Sequence, residues 1–168
     1  MNRPADELKR MLERFEAVIR SAGLKRTPQR LEIYRETART GDHPSLEAIH
    51  RNVRKRMPGV SLDTVYRTLD LFRELGLVRT VSPYPGRVRF DADTAPHHHF
   101  VCVSCGLTRD FREPGLDALP IPEPARALGS VESAHLEVRG LCPPCARRKK
   151  PALTGTKSRR IKISTRRD

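Results

Sequence analysis

The sequence predicts an α+β fold in which four helices and a β-hairpin precede a small mixed half closed by four cysteines. Three observations predict it. Apolar residues recur at helical spacing in four successive segments, two short strand-like segments follow, and all four cysteines fall in two Cys-x-x-Cys pairs in the second half of the chain.

Residues 4–22 carry Leu8, Leu12, Phe15, Val18, Ile19 and Ala22 on one helical face, and Gly23 stands where such a helix stops. Thr27 can cap a second helix with Pro28 at its first position, where a missing N–H costs nothing. After Gly41-Asp42-His43-Pro44, Ser45 caps a third helix reaching about Met57, ended by Pro58-Gly59. A fourth runs from Ser61 to Leu75, with Leu62, Val65, Leu69, Phe72 and Leu75 as its buried stripe. Asp63, Tyr66, Arg67, Asp70 and Arg73 lie outside that stripe. Strands are expected at 77–81 and 87–91, joined by Ser82-Pro83-Tyr84-Pro85-Gly86. Three helices followed by a hairpin is the order of a winged helix-turn-helix, whose last helix would read the major groove. Singly, Tyr66 or Arg67 is an ordinary solvated residue; within that order, a DNA-facing role is the better reading. The residues expected at DNA are Tyr66, Arg67, Thr64 and Arg26.

Beyond about Ala92–Pro96 the character changes. HHHFVCV, LTRDF and Val131–Arg139 are strand-like, and Pro120, Pro122 and Pro124 leave room for only a short or broken helix between them. The expected organisation is a winged-helix half over 1–92, a small α/β dimerisation and metal-binding half over 93–148, and a basic tail over 149–168. Each half is small enough to need help from a metal or a partner chain.

Lysine and arginine number 33 against 20 acidic residues, a formal net charge of +13. Most of the excess lies between Arg147 and Asp168, and that stretch is expected to be disordered. It serves equally as a solubilising extension or as a nonspecific attraction to DNA. No apolar run is long enough for a membrane span, and the N-terminus lacks a secretory core, so a cytoplasmic address is expected.

Cys102-Val-Ser-Cys105 and Cys142-Pro-Pro-Cys145 use every cysteine of the chain. Two residues between thiols let both sulfurs turn toward one ion, and two such pairs complete a tetrahedral zinc site. Four thiolates leave no open position for chemistry, so the zinc is structural. Disulfide or redox roles fit a reduced cytosol less well. The second cluster is His97-His98-His99, with Asp91 before it, Asp110 after it, and His43 in an earlier linker. On a strand His97 and His99 share one face and His98 takes the other. Such nitrogen and oxygen donors suit Fe(II), Mn(II) or Zn(II) without selecting among them.

LKRTPQRLEIY, HPSLEAIH, SLDTVYRTLDLFRELGLV, RFD, HHHFVCVSCG and RGLCPPCA together resemble the ferric uptake regulator family over roughly residues 8–148. The resemblance implies a homodimeric winged-helix repressor with structural zinc, which binds inverted-repeat DNA when a regulatory metal, here Fe(II) or Mn(II), is loaded. Carried over by position, the regulatory ligands are His43, Asp91, His97, His99 and Asp110. Asp at both 91 and 110 resembles the peroxide-sensing branch more than the iron-uptake branch. Ala134 stands where many members place a second-site histidine. His135 is one residue late, and on a strand would face the other way, so it is left out of the ligand set. Competing readings are an iron- or zinc-uptake repressor of the same family, a zinc-dependent hydrolase built on the His/Asp cluster, and a nonspecific nucleic-acid-binding protein driven by the tail. Against the hydrolase, no HExxH motif occurs and no cysteine is left free as a nucleophile.

Overall fold

The computed structural model describes residues 2–84, 87–117, 120–131 and 134–148. The basic tail and the Pro85-Gly86 part of the hairpin turn lie outside the described residues.

Four helices open the chain: α1 (Ala5–Ser21), α2 (Pro28–Ala38), α3 (Leu46–Arg54) and α4 (Leu62–Glu74). Local chemistry sets their ends. Thr27, Ser45 and Ser61 each accept a hydrogen bond from the backbone N–H three residues on, at 3.2, 3.3 and 3.1 Å, satisfying a donor that the helix leaves open. Gly23 and Gly76 take positive φ of 67° and 64° after α1 and α4. There the next N–H returns to a carbonyl five residues back, Leu24 to Ile19 at 3.0 Å and Leu77 to Phe72 at 2.8 Å, a closure that favours glycine. Helix α3 ends at Arg54, three residues before the expected Met57. Arg56 and Met57 both donate to the Val53 carbonyl in a closing turn, and Pro58 has no N–H to continue the ladder.

These helices share one apolar core. Phe15 stacks on Tyr34 with ring centres 4.7 Å apart, and Phe72 meets both edge-on at 5.6 and 5.7 Å. Ile19, Ile33, Ile49, Val53, Val65 and Leu69 fill the space around them. Leu62 departs from the expected stripe, at 41% exposed. It is the first residue of α4, and that end of the helix projects beyond the core.

The hairpin pairs β1 (Arg79–Tyr84) antiparallel to β2 (Arg87–Asp91). Leu77 and Val78, expected within the first strand, are instead core residues whose N–H groups both close α4 on the Phe72 carbonyl. The strand therefore starts two residues later.

The second half is a three-stranded sheet of order β4-β3-β5, with β3 (His98–Cys102), β4 (Thr108–Phe111) and β5 (Glu137–Gly140). Strand β4 runs antiparallel to β3, and β5 parallel to it. The strand expected over Val131–Arg139 is shorter and later. His99 to Cys102 are the β3 residues facing β5, and they match Glu137 to Gly140, so the chain upstream has no strand to pair with. The helices here are single turns or little more: α5 (Pro114–Asp117), α6 (Glu123–Arg126) and α7 (Pro143–Arg148). The apolar cluster of this half is Cys102, Cys142 and Cys145 with Phe100, Leu107 and Leu141 packed against them. It is too small to hold the sheet without a further tie.

Candidate metal centres and DNA interface

Cys102 ends β3, Cys105 lies in the turn toward β4, and Cys142 and Cys145 flank the start of α7. Each offers a sulfur within 4.8 Å of the other three, and none is in a disulfide. The Cys142 N–H donates to Cys102 Sγ at 3.3 Å and, with other backbone donors, lowers that thiol to about 6. At Cys142 the Cys145 N–H favours the thiolate, but burial and the surrounding sulfurs outweigh it and push the thiol up to about 12. Four sulfurs this close cannot all ionise without a cation among them. A tetrahedral divalent ion satisfies that condition, and the donor set fits zinc.

The second centre is assembled from both halves. His43 sits in the loop before α3, Asp91 ends β2, His97 and His99 flank the start of β3, and Asp110 lies on β4. His43, Asp91, His97 and His99 bring ligand atoms within 4.8 Å of one another and are all buried. Asp110 Oδ1 closes the set, 2.9 Å from His43 Nε2, 3.6 Å from His99 Nε2 and 3.7 Å from His97 Nε2. Asp91 Oδ2 lies 3.0 Å from His97 Nε2 and 3.7 Å from His43 Nε2. The Nε2 atoms of His97 and His99 face each other at 2.9 Å. Both nitrogens of His43, Asp91 Oδ2 and Asp110 Oδ1 are buried without a well-formed hydrogen bond. Lone pairs aimed at one point and unsatisfied by protein donors are what a bound cation requires, and the mix of imidazole and carboxylate fits Fe(II), Mn(II) or Zn(II).

The same geometry sets the protonation of the metal-free cluster. Burial works against the His43 imidazolium, but Asp110 and Asp91 outweigh it and push the pKa from 6.5 up to about 9. Burial also works against the Asp91 carboxylate, and the three imidazoles outweigh it, holding Asp91 far below the usual carboxylate range. A raised histidine stabilises the fold fully below its unfolded value and loses that contribution as pH rises through the folded one. The metal-free chain is therefore expected to lose stability between pH 6.5 and about 9. Metal must displace the His43 proton over that window, so Mn(II) affinity should climb by up to about tenfold per pH unit. Metal titrations paired with thermal melts across this range check both; a flat affinity would show that His43 is not a ligand.

Sequence reasoning missed what holds His43 in place. Its φ of 49° lies in the left-handed region, at a cost of about 1 kcal/mol for a residue with a side chain. The Arg89 guanidinium on β2 donates to the His43 carbonyl at 3.0 Å, and the Phe90 N–H to the Pro44 carbonyl at 3.0 Å. Arg109 on β4 also reaches Asp42. The signal was present in the RFD segment, whose arginine looks like an ordinary strand residue until the loop packs on it. His98 turns away from the cluster, its ring 5.4 Å from Phe111 and its Nδ1 accepting from the Leu136 N–H at 3.1 Å. For His135 the strand-face argument does not hold, because β5 begins only at Glu137. Its ring lies edge-on to His99, centres 5.7 Å apart, outside the group of four mutually close ligands.

Tyr66, Arg67 and Thr64 all lie on α4. Tyr66 is 54% exposed, and Arg67 projects into solvent beside Asp63, their ion pair measuring 2.9 Å. Thr64 is half-buried at the cap, its hydroxyl 2.9 Å from that of Ser61. Arg26 lies elsewhere, in the loop between α1 and α2, paired with Glu16 at 2.9 Å.

Residues 21–138 match the sequence profile of the Ferric uptake regulator family. The chain is 35% identical over 145 residues to the peroxide operon regulator of Bacillus subtilis, covering 86% of this chain and 97% of that one. Among solved structures, the Helicobacter pylori ferric uptake regulator shares the fold at TM-score 0.65 and 24% identity, over 83% of this chain and 93% of that one. A zinc-bound manganese uptake regulator aligns at TM-score 0.59 and 30% identity, over 76% and 97%. Sequence, fold and the two converging ligand sets agree: this chain belongs to the ferric uptake regulator family.

Proposed function

We propose that the chain is a metal-dependent transcriptional repressor that senses peroxide through the centre formed by His43, Asp91, His97, His99 and Asp110. The observation that carries this is the composition of that centre, which draws ligands from the loop before α3, the end of the wing and the β-sheet half. A metal bound there ties the two halves together and biases a hinge near residues 92–96 toward one DNA-competent arrangement. The separate apolar cores support a division into residues 1–92 and 93–148. Cys102, Cys105, Cys142 and Cys145 hold structural zinc, while the regulatory centre takes Fe(II) or Mn(II). The exposed face of α4 carrying Tyr66 and Arg67 is the DNA reader, with Thr64 at its cap and Arg26 reaching the backbone.

The sheet half supports a homodimer: Val138 on edge strand β5 and Leu136, Val131 and Leu128 ahead of it in sequence are all exposed. A two-fold dimer presents two reading helices to an inverted repeat. Among the described residues no helix is long and apolar enough to cross a membrane, and thiols kept for zinc suit the reducing cytoplasm. The family's members are transcription regulators, and the chain's role is regulation rather than catalysis. For the peroxide branch specifically, support comes from the two aspartates and from the Bacillus subtilis relative.

The test is a gel-shift series on the gene's own upstream DNA, using protein freed of regulatory metal and reloaded with Mn(II), Fe(II) or Zn(II). Mn(II) and Fe(II) should each restore binding, and peroxide should abolish it for the Fe(II) form alone. Restoration by Zn(II) only, or indifference of the Fe(II) form to peroxide, would assign the chain to metal-uptake control instead.

A further inference from the structure

Arg3 lies in the extended segment ahead of α1, where its backbone N–H donates to the Arg39 carbonyl at 2.9 Å and Asn2 bridges to Thr40. Its side chain is only 9% exposed. The guanidinium faces four carboxylates. It donates to Glu7 Oε1 at 2.5 Å and lies 3.7 Å from Asp93 Oδ2, 3.7 Å from Asp91 Oδ1 and 3.8 Å from Asp110 Oδ2. The oxygens it faces on Asp91 and Asp110 are not the ones that face the imidazoles, which meet Asp91 Oδ2 and Asp110 Oδ1. Among the described residues, no other arginine or lysine has a nitrogen within 4 Å of either carboxylate.

The physical problem at this place is charge. Asp91 is 2% exposed and Asp110 adds a second carboxylate to the same small volume. Like charges in a poorly solvated site repel unless a cation lies between or behind them. Arg3 supplies that cation from the outer side, leaving the inner oxygens directed at the histidines. It also belongs to a different part of the chain, pinned to the end of α2, so its ion pairs join the helical half to Asp110 on β4.

We propose that Arg3 is a positioning residue of the regulatory centre, a built-in cation that holds the Asp91 and Asp110 carboxylates together when no metal is bound. The proposal rests on the reading of Asp91 and Asp110 as regulatory ligands. A divalent ion held by Asp91 and Asp110 would neutralise both carboxylates and repel the guanidinium beside them. Arg3 therefore stabilises the metal-free chain more than the metal-loaded one. Its presence lowers metal affinity, because binding must displace part of an existing electrostatic balance.

The experiment is thermal unfolding of the full chain, zinc retained, with and without saturating Mn(II), for the parent, Arg3→Gln and Arg3→Lys. Arg3→Gln should lower Tm of the metal-free form by about 3 °C, and that of the loaded form by clearly less. The Mn(II)-induced rise in Tm then grows, and the Mn(II) dissociation constant, read by electron paramagnetic resonance of the free ion, tightens at least about threefold. Arg3→Lys keeps the charge and should stay close to the parent in both measurements. Equal losses in the two forms would reduce Arg3 to an ordinary ion pair at the start of α1 and overturn the proposal. So would a larger loss in the loaded form, or no change in either. If Mn(II) fails to shift the parent itself, the ligand reading beneath the proposal fails, a result distinct from those three.

Discussion

Replacing Cys142 by serine is expected to remove the zinc, the dimer and the fold of the C-terminal half together. The sheet there has little else to hold it. Its apolar cluster consists of three cysteines with Phe100, Leu107 and Leu141 against them. Strand β5 meets β3 over four residues, and α7 is six residues long. A structural zinc contributes roughly 10–16 kcal/mol at neutral pH, as much as the whole stability of an ordinary domain, about 5–15 kcal/mol. Serine keeps the shape and loses the soft anionic donor, so the remaining three cysteines cannot close the tetrahedron. Metal analysis should find one zinc per parent chain that survives mild chelation, and none in the variant. Sedimentation should show the variant monomeric. Its helical signal should survive in part, because the core around Phe15, Tyr34 and Phe72 is independent of the cysteines. A variant that is zinc-free yet dimeric and equally stable would refute the staple.

Treating the Fe(II)-loaded protein with peroxide is expected to place one oxygen atom on His43 or His97 and to release the protein from DNA. Iron(II) at the centre would activate the peroxide without being consumed, the two electrons that reduce it coming from the imidazole. The balance is simple: an imidazole C–H and hydrogen peroxide give the hydroxylated ring and one water. His43 and His97 are the exposed point of this design in the chemical sense only, since both are buried beside the centre, at 1% and 5%. Thiols are the usual redox switches, and Cys102, Cys105, Cys142 and Cys145 would be withdrawn from that role as the proposed ligands of zinc. An oxidised imidazole is a poorer donor, and on the proposed reading His43, with Asp91, ties the winged-helix half to His97 and His99. Its loss loosens a loop that Arg89, Phe90 and Arg109 hold against a strained φ. Affinity for operator DNA should fall toward the metal-free level, between about fivefold and 150-fold for a typical coupling. Peptide mass mapping should find the added oxygen in the Fe(II) form and not in the Mn(II) form. If release tracks cysteine oxidation and zinc loss instead, the sensing chemistry is different and the centre serves metal-uptake control.

Much of this protein was legible because its signals are local. Thr27-Pro28, Ser45 and Ser61 announce helix starts through hydrogen bonds that span three residues, and Gly23 and Gly76 announce ends through a backbone conformation favoured by glycine. The two Cys-x-x-Cys pairs carry their geometry in their own spacing. The two errors in strand bounds share one cause. Leu77 and Val78 alternate like strand residues but close α4, because the carbonyl they reach belongs to Phe72. Val131–Arg139 alternates over nine positions, yet strand length is set by the partner, and β3 matches only the last few. Both depend on what another segment offers, which no alternation can report.

The sequence by itself determined the helices, the hairpin, the cysteine staple and the kinds of ligand available for a second metal. The family resemblance named His43, Asp91, His97, His99 and Asp110 together; the tertiary structure supplied the geometry, bringing ligand atoms of His43, Asp91, His97 and His99 within 4.8 Å of one another. It also showed that Arg89 donates to the His43 carbonyl and that Arg3 lies beside both carboxylates. The physical reason is range. Caps, turns and paired thiols act within a few bonds of the residues that encode them. A buried charge, by contrast, must be balanced by whichever group the fold brings within about 4 Å, from any distance along the chain.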